Sequence, residues 1–516
     1  MLDRLARSPF ARLPLAGFVI PCIIFFSLWR SNANRLGYED ALPTGLALLA
    51  ILLVLLIGLR FWAKSWVRAS MMLGILGAYI FYAPSLTQMI SSPWLEGAAL
   101  AFAGLIALDL MRRIPPHDGQ LERTNMMVNI AALPLILVFA GQAAMDQRTL
   151  ESGRPDVSTP FPAFEAQADE NSPDVWHFVM DRYGNRETLA QVYGYDNTPF
   201  LNALRERGFV VDDNAFANYQ RTGHSLASTL NASYLEPLAE NEQLMGGDWV
   251  PIYRAMRDNR AIEFFNEAGY TTVFAGTWWN PSRRNPGAAE NINLRDMPEL
   301  ARLLVEQSVP GRVLDLTDLP YGNARHDQCL REEHKFEALQ ELASRDERKY
   351  IFAHFLLPHP PYVINADGSC RPLADAEAAT RRDNYIGQLD YANRELLATI
   401  DAILAGPRPA TIILQADEGP WPAPHFGDER FIGRDPVEVD WDNLDRAAIR
   451  EKMGILFAVR HADGSTANIP ASPINIYPAI LRQSFGSAME NLPDRHLVFV
   501  SNGELYDYAD VDALLD

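Results

Sequence analysis

Hydrophobic and polar positions divide the chain into two regimes. Up to about residue 145 apolar residues come in long blocks, at roughly 13–29, 41–59, 69–90, 95–111 and 125–144. Each is close to the ~20 residues that a bilayer-spanning helix needs. A cleaved signal peptide would account for one such block, not five. Residues 146–171 are polar, contain proline and lack helical periodicity, which predicts a linker. From residue 172 to the end at 516, short β-rich runs alternate with helical patterns. Strands are expected at Val175–Met180, Phe209–Val211, Tyr270–Ala275, Tyr350–Phe355, Thr411–Leu414 and Ile455–Val459. Helices are expected over Pro199–Arg207, Ser225–Tyr234, Ala261–Ala268, about Asp375–Leu404, and Asn475–Phe485. Such alternation predicts an α/β domain whose mainly parallel sheet is flanked by helices.

Charge adds an orientation. Basic residues gather before the first block (Arg4, Arg7, Arg12), after the second (Arg60, Lys64, Arg68) and after the fourth (Arg112, Arg113, Arg123). After the first block, Arg30 and Arg35 are balanced by Glu39 and Asp40, and the third loop, Ser91–Trp94, has no basic residue. By the positive-inside rule the N-terminus is cytoplasmic, and five spans place the C-terminal domain outside. Residues 1–145 hold eleven basic and seven acidic residues, a net of +4, so of the chain's −20 the remainder carries −24. So acidic a domain excludes nucleic-acid binding, which needs basic surface over phosphate. An anionic substrate would require local neutralisation, for which a metal ion is suited. Cys329 and Cys370 lie in this domain, either as a disulfide or as two separate thiols.

In open α/β sheets functional groups collect beyond the carboxyl ends of the strands. The first strand runs into Asp181, the fourth into LLPHPPY with His359, and TIIL into the adjacent acids Asp417 and Glu418. Thr222, in QRTGHSLAST, precedes a helix by a residue or two, and unpaired N–H groups at a helix N-terminus favour anions. Neighbouring carboxylates repel one another unless a cation lies between them. Asp181, Asp417, Glu418 and the Thr222 hydroxyl together suit one or two hard divalent ions (Mn, Mg or Ca, with Zn as an alternative). Such an ion would activate the Thr222 hydroxyl. His354, His425, Arg283 and Arg284 are further candidates for substrate binding.

At these residues the chain resembles the alkaline phosphatase/sulfatase superfamily. The similarity is to its membrane-anchored branch, which includes lipoteichoic acid synthases and phosphoethanolamine and phosphoglycerol transferases. The matching stretches are VMDRYGN, YGYDNTPFLNALRERGFVVDDNAFANYQRT, FAHFLLPHPPYV, and IGQLDYANRELLATIDAIL ahead of LQADEGP, within roughly 172–500. The resemblance implies an alkaline-phosphatase-like domain behind a five-helix anchor in the bacterial cytoplasmic membrane. It further implies Asp181, Thr222, Asp417 and Glu418 as metal ligands, with Thr222 also the nucleophile. His359 would contact the transferred phosphate or its leaving group. Two positions depart from the family pattern: Glu418 stands where His is common, and Asp181 where the anchored transferases often carry Glu. The C/S-x-P-x-R motif of formylglycine sulfatases is missing. Thr222 is followed by GHSL, and the CRPLA beginning at Cys370 lacks the arginine.

The expected function is therefore a metal-dependent phospho-group transferase or hydrolase acting on phosphodiesters or phospholipid headgroups through Thr222. A membrane lipid would be the donor, and a glycan, lipid or water the acceptor. The alternatives are a phosphatase or phosphodiesterase that uses water, and an inactive lipid-sensing or scaffolding relative of the same fold.

Overall fold

The computed structural model describes residues 9–115, 119–157, 160–316, 324–422, 439–466 and 469–515. It divides into two compact units: Met1–Ser152 with Met297–Ala324, and Gly153–Asp296 with Arg325–Asp516.

In the first unit four helices among the described residues are long and apolar enough to cross a membrane: Tyr38–Ala63, Trp66–Thr87, Pro93–Arg113 and Gln120–Gly153. The first expected span is the exception. Its residues form a 3-10 turn, Ala16–Phe18, and a helix of only 13 residues, Val19–Ser31. At 1.5 Å per residue that helix is about 20 Å long, short of the ~30 Å hydrocarbon core. The preceding backbone is held out of helix by side chains of the other helices. Asn125 donates to the carbonyls of Ala11 and Leu13, Asn129 to that of Leu13, and Ser70 accepts from Gly17 N–H. The last membrane helix also continues to Gly153, into the stretch expected to be linker.

Residues 297–324 interrupt the second unit in sequence but cluster with the membrane helices. Two short helices, Glu299–Glu306 and Val309–Leu316, carry apolar stripes. Leu300 and Leu304 pack in a cluster with Phe25 and Trp29, and Val309 packs in one with Ala83 and Leu100. Arg312 then makes a two-pronged ion pair with the buried Glu96, at 2.7 Å for each hydrogen bond.

The second unit is built on a seven-stranded sheet in the order β2-β7-β6-β1-β5-β3-β4. The strands are β1 Asp174–Met180, β2 Val210–Asp212, β3 Thr271–Ala275, β4 Glu290–Ile292, β5 Lys349–Phe355, β6 Ala410–Ala416 and β7 Phe457–Arg460. β1 lies between β5 and β6, parallel to both, and β3 and β4 extend the parallel set. β7 runs against both β6 and β2. Every residue of β1, β5 and β6 is buried, as expected of a parallel sheet covered on both faces. The helix expected over 375–404 is two helices, Leu373–Ala378 and Arg381–Leu404. It breaks where Thr380 caps the second by accepting from Asp383 N–H.

Cys329 and Cys370 form a disulfide across 41 residues, which decides between the two cysteine readings. Closing a loop of that length removes denatured-state entropy worth about 4 kcal/mol. Cys329→Ser is therefore expected to lower the thermal unfolding midpoint by several degrees, and reduction of the native protein to do the same. An unchanged midpoint in both would show that the bridge contributes nothing to stability.

Candidate metal-dependent active site

Three strand ends converge. In the register of the sheet Met180 pairs with both Phe355 and Ala416, so the residues after β1 and β6 lie side by side and His354 sits one position lower on β5. Asp181, His354 and Asp417 are all buried, and each offers a ligand atom within 4.8 Å of the others. Among the described residues, Asp181 Oδ1, His354 Nε2 and Asp417 Oδ2 have no hydrogen-bond partner. Buried polar atoms are almost always paired. Two carboxylate oxygens and an imidazole nitrogen left over at one point are the donor set of a divalent cation. Thr222 is the first residue of helix Thr222–Asn231, and its hydroxyl lies close enough to the Asp417 carboxylate to lower that acid's pKa in part.

Glu418 points elsewhere. Its Oε1 lies 2.7 Å from Arg182 Nε and 2.7 Å from Lys452 Nζ, and its Oε2 accepts from Thr222 N–H at 3.1 Å. Glu418 thus fixes the N-terminus of the helix that carries Thr222, where a negative charge is favourable. Arg182 grips both acids, because its backbone N–H also donates to Asp417 Oδ1 at 3.3 Å. To do so it adopts a left-handed backbone, with φ of 62°. This conformation is costly for a residue with a side chain. Tyr385, from helix Arg381–Leu404, holds it there by donating to Arg182 O and accepting from Gly184 N–H. Trp421 lies among three cations: the Arg182 guanidinium at 5.4 Å from its ring, that of Arg221 at 5.0 Å, and Lys452 Nζ at 4.8 Å.

The electrostatics separate the acids. Burial, with the Asp417 charge next in weight, pushes the Asp181 pKa well above the usual carboxylate range. Burial, then the charge of Glu418, pushes Asp417 up to about 7. Burial acts on Glu418 too, but Lys452 and Arg182 outweigh it and its pKa falls. Burial brings Lys452 down to about 8 and His354 to about 3, so the imidazole is neutral and can act as a ligand. Ionised, Asp181 and Asp417 would carry charge that the protein does not neutralise, so in the absence of a cation both tend to hold a proton.

Of the residues singled out from the sequence, Asp181, Thr222 and Asp417 come together, and His354 joins them as a candidate ligand. Glu418 is adjacent but bound to cations. His359 is half-buried, its ring against Pro360 O and its own carbonyl bonded to Gln388. Arg283 pairs with Asp296, and the exposed Arg284 lies 3.8 Å from the same carboxylate. His425 lies outside the described residues. Arg182, Arg221, Lys452 and Ser282 escaped the sequence reading. Arg182, inside the MDRYGN stretch, and Arg221, next to Thr222 in QRT, had a local signal.

The family model described as "Sulfatase" matches residues 173–440, just over half of the chain. The chain belongs to the sulfatase family. Among solved structures, this sulfatase-family protein is similar to the C-terminal periplasmic domain of EcEptC from Escherichia coli. That match has 14% identity, covers 68% of this chain and 97% of the other, and has a TM-score of 0.45. It is also similar to the integral membrane lipooligosaccharide phosphoethanolamine transferase A from Neisseria meningitidis, with 14% identity, 81% and 75% coverage, and a TM-score of 0.37. A protein of the alkaline phosphatase superfamily from Vibrio parahaemolyticus matches with 14% identity, 68% and 81% coverage, and a TM-score of 0.39. No curated protein matches the sequence.

Proposed function

We propose that this sulfatase-family protein is a membrane-anchored, metal-dependent transferase or hydrolase that moves a phosphoryl-bearing group through Thr222. The observation that carries the reading is the set of three unpartnered ligand atoms beside the Thr222 hydroxyl. Asp181, Asp417, His354 and Thr222 would hold the ion, and the mixed oxygen and nitrogen set favours Mn or Zn over Ca or Mg. When bound, the metal would lower the pKa of the threonine hydroxyl and polarise a phosphate oxygen.

The chain's own residues do the rest. Asp417 orients the Thr222 hydroxyl, and Glu418 with Arg182 and Lys452 fixes the helix that presents it. Thr222 Oγ1 bonds to phosphorus as the ester bond to the donor alcohol breaks, and the alcohol leaves. An acceptor hydroxyl then displaces Thr222 and restores the free side chain. Arg221, immediately before the nucleophile, places positive charge where the phosphodiester would enter. The nitrogen donor missing at position 418 is supplied by His354, so Glu418 does not argue for an inactive relative.

A lipid donor follows from the anchor carried in the same chain, and an extracytoplasmic catalytic unit from the basic loops around 60–68 and 112–123. The side of the catalytic unit does not depend on whether the short first helix crosses the bilayer; only that of the N-terminus does. The Cys329–Cys370 disulfide supports an oxidising compartment. The direct test is intact-mass spectrometry of the protein incubated with membrane lipids and Mn. A phosphoryl-bearing adduct on Thr222 is expected, and its absence under turnover would reject the covalent route.

Acid should weaken metal binding. Asp417 holds its proton up to about pH 7 in the metal-free protein, so Mn affinity is expected to rise as pH passes that value, read by calorimetric titration on either side of it. The stability of the metal-free form runs the opposite way. A folded pKa raised above the unfolded ~4 stabilises at low pH, and that contribution disappears as pH climbs through about 7. Bound metal should cancel the loss.

A further inference from the structure

The ring of His354 has one face toward the acids and the other toward a hydroxyl pair. Its Nδ1 lies 2.9 Å from Ser282 Oγ, and Ser282 Oγ lies 2.7 Å from Thr277 Oγ1. Thr277 Oγ1 also accepts from Trp279 N–H at 3.0 Å, and Thr277 N–H donates to Ser282 O at 2.9 Å. His354, Ser282 and Thr277 are all fully buried, so water does not compete for these bonds. The loop that brings them together turns back on itself after β3. A Cβ at Gly276 would run into the backbone of Ser282 and Arg283, so glycine is needed for the chain to close that tightly. On the other side of the ring, Nε2 has no hydrogen-bond partner among the described residues and lies 3.9 Å from Asp181 Oδ2.

We propose that Ser282, backed by Thr277, fixes His354 as the Nδ1–H tautomer and is thereby a positioning residue for metal binding. The proposal rests on the metal-dependent reading above. A neutral imidazole carries one proton, and which nitrogen bears it decides whether Nε2 is a lone pair or a donor. With the proton on Nδ1, His354 donates to Ser282 Oγ, and the Ser282 hydroxyl donates to Thr277 Oγ1. That oxygen has two lone pairs, one for Ser282 and one for Trp279 N–H. Nε2 is then a bare lone pair aimed at the space shared with Asp181 and Asp417. Without Ser282 the balance reverses. A buried N–H with no acceptor costs more than a buried lone pair with no donor, so the proton moves to Nε2, where a cation would have to displace it. Lys335 supports the same geometry by donating to the His354 carbonyl, which pins the backbone while Ser282 orients the ring.

The test loads the full-length protein, in detergent, with Mn²⁺ and reads electron spin-echo modulation from a directly bound nitrogen together with Mn²⁺ affinity. Wild type is expected to show histidine nitrogen coupling. Ser282→Ala should lose most of that coupling and bind Mn²⁺ about 10- to 100-fold more weakly. Ser282→Thr, which keeps the hydroxyl, should retain both, and Thr277→Val should fall between. Unchanged coupling and affinity in Ser282→Ala, with wild type binding normally, would overturn the proposal and leave the metal reading standing. Binding by wild type without nitrogen coupling would overturn it as well, by removing His354 from the ligands. Failure of wild type to bind any divalent ion would instead reject the metal reading beneath it. If Ser282→Ala does not fold, Thr277→Val and Ser282→Thr decide by the same two measurements.

Discussion

Thr222→Ala is expected to reduce turnover by about a thousandfold or more while the protein stays folded and still takes up metal. The side chain sits at the start of a helix whose first N–H is held by Glu418 through the backbone, so that contact survives the substitution. Two of the three clustered ligand groups come from other strands entirely and the third follows β6, so the cradle also remains. What disappears is the oxygen that would bond to phosphorus, together with one candidate metal ligand. Covalent labelling should vanish in parallel with turnover. Thr222→Ser restores the oxygen and should recover a substantial fraction of both. If Thr222→Ala turned over at the wild-type rate, the nucleophile would have to be water, and the covalent route would fail even with the metal site intact.

Lys452→Met should produce the largest loss of stability of any single change around the site, about 3 kcal/mol or more. The ammonium is fully buried, 2.7 Å from Glu418 Oε1, at the end of helix Arg446–Met453. Removing it takes away one of the two cations at 2.7 Å from Glu418 Oε1, in a place from which water is excluded. The charge of Glu418 also raises the pKa of Asp417, so a weaker grip on Glu418 disturbs the cradle. Glu418→Gln with Lys452→Met should recover most of the lost stability, because a neutral pair of similar size avoids burying two charges. A double-mutant cycle in thermal unfolding measures the coupling. Simple additivity of the two substitutions would show that the ion pair seen here contributes nothing specific.

Much of this was readable from the chain. Two of the candidate site residues, Asp181 and Asp417, could be found because parallel sheets place chemistry past their carboxyl ends, and strand ends are marked in sequence by the sudden change from apolar to polar at Met180–Asp181 and Ala416–Asp417. Hydrophobic periodicity likewise located the central strands and most helices. It missed β4, whose three residues Glu290–Ile292 carry no apolar run. It also overextended the first membrane block, because Asn125 and Asn129, more than a hundred residues away, decide the fate of that backbone. Lys452 and Ser282 were illegible for the same reason. A lysine within RAAIREKM and a serine within WWNPSRR look like solvent-facing residues, and only the tertiary fold turns them inward. Adjacency in sequence to Asp417 suggests one shared role for Glu418, and only the fold shows Glu418 held by Arg182, Lys452 and Thr222 N–H.

The docking of residues 297–324 among the membrane helices bears on how the enzyme can be handled. The backbone passes between the two units three times, so after a protease nick in the stretch past Gly153 the C-terminal fragment would still carry residues 297–324, which pack noncovalently against the membrane helices. A soluble fragment starting there would carry Leu300, Leu304 and Val309 stripped of Phe25, Trp29, Ala83 and Leu100. Such a fragment should be sticky, and excising the helices Glu299–Glu306 and Val309–Leu316, rather than trimming the N-terminus further, is the remedy.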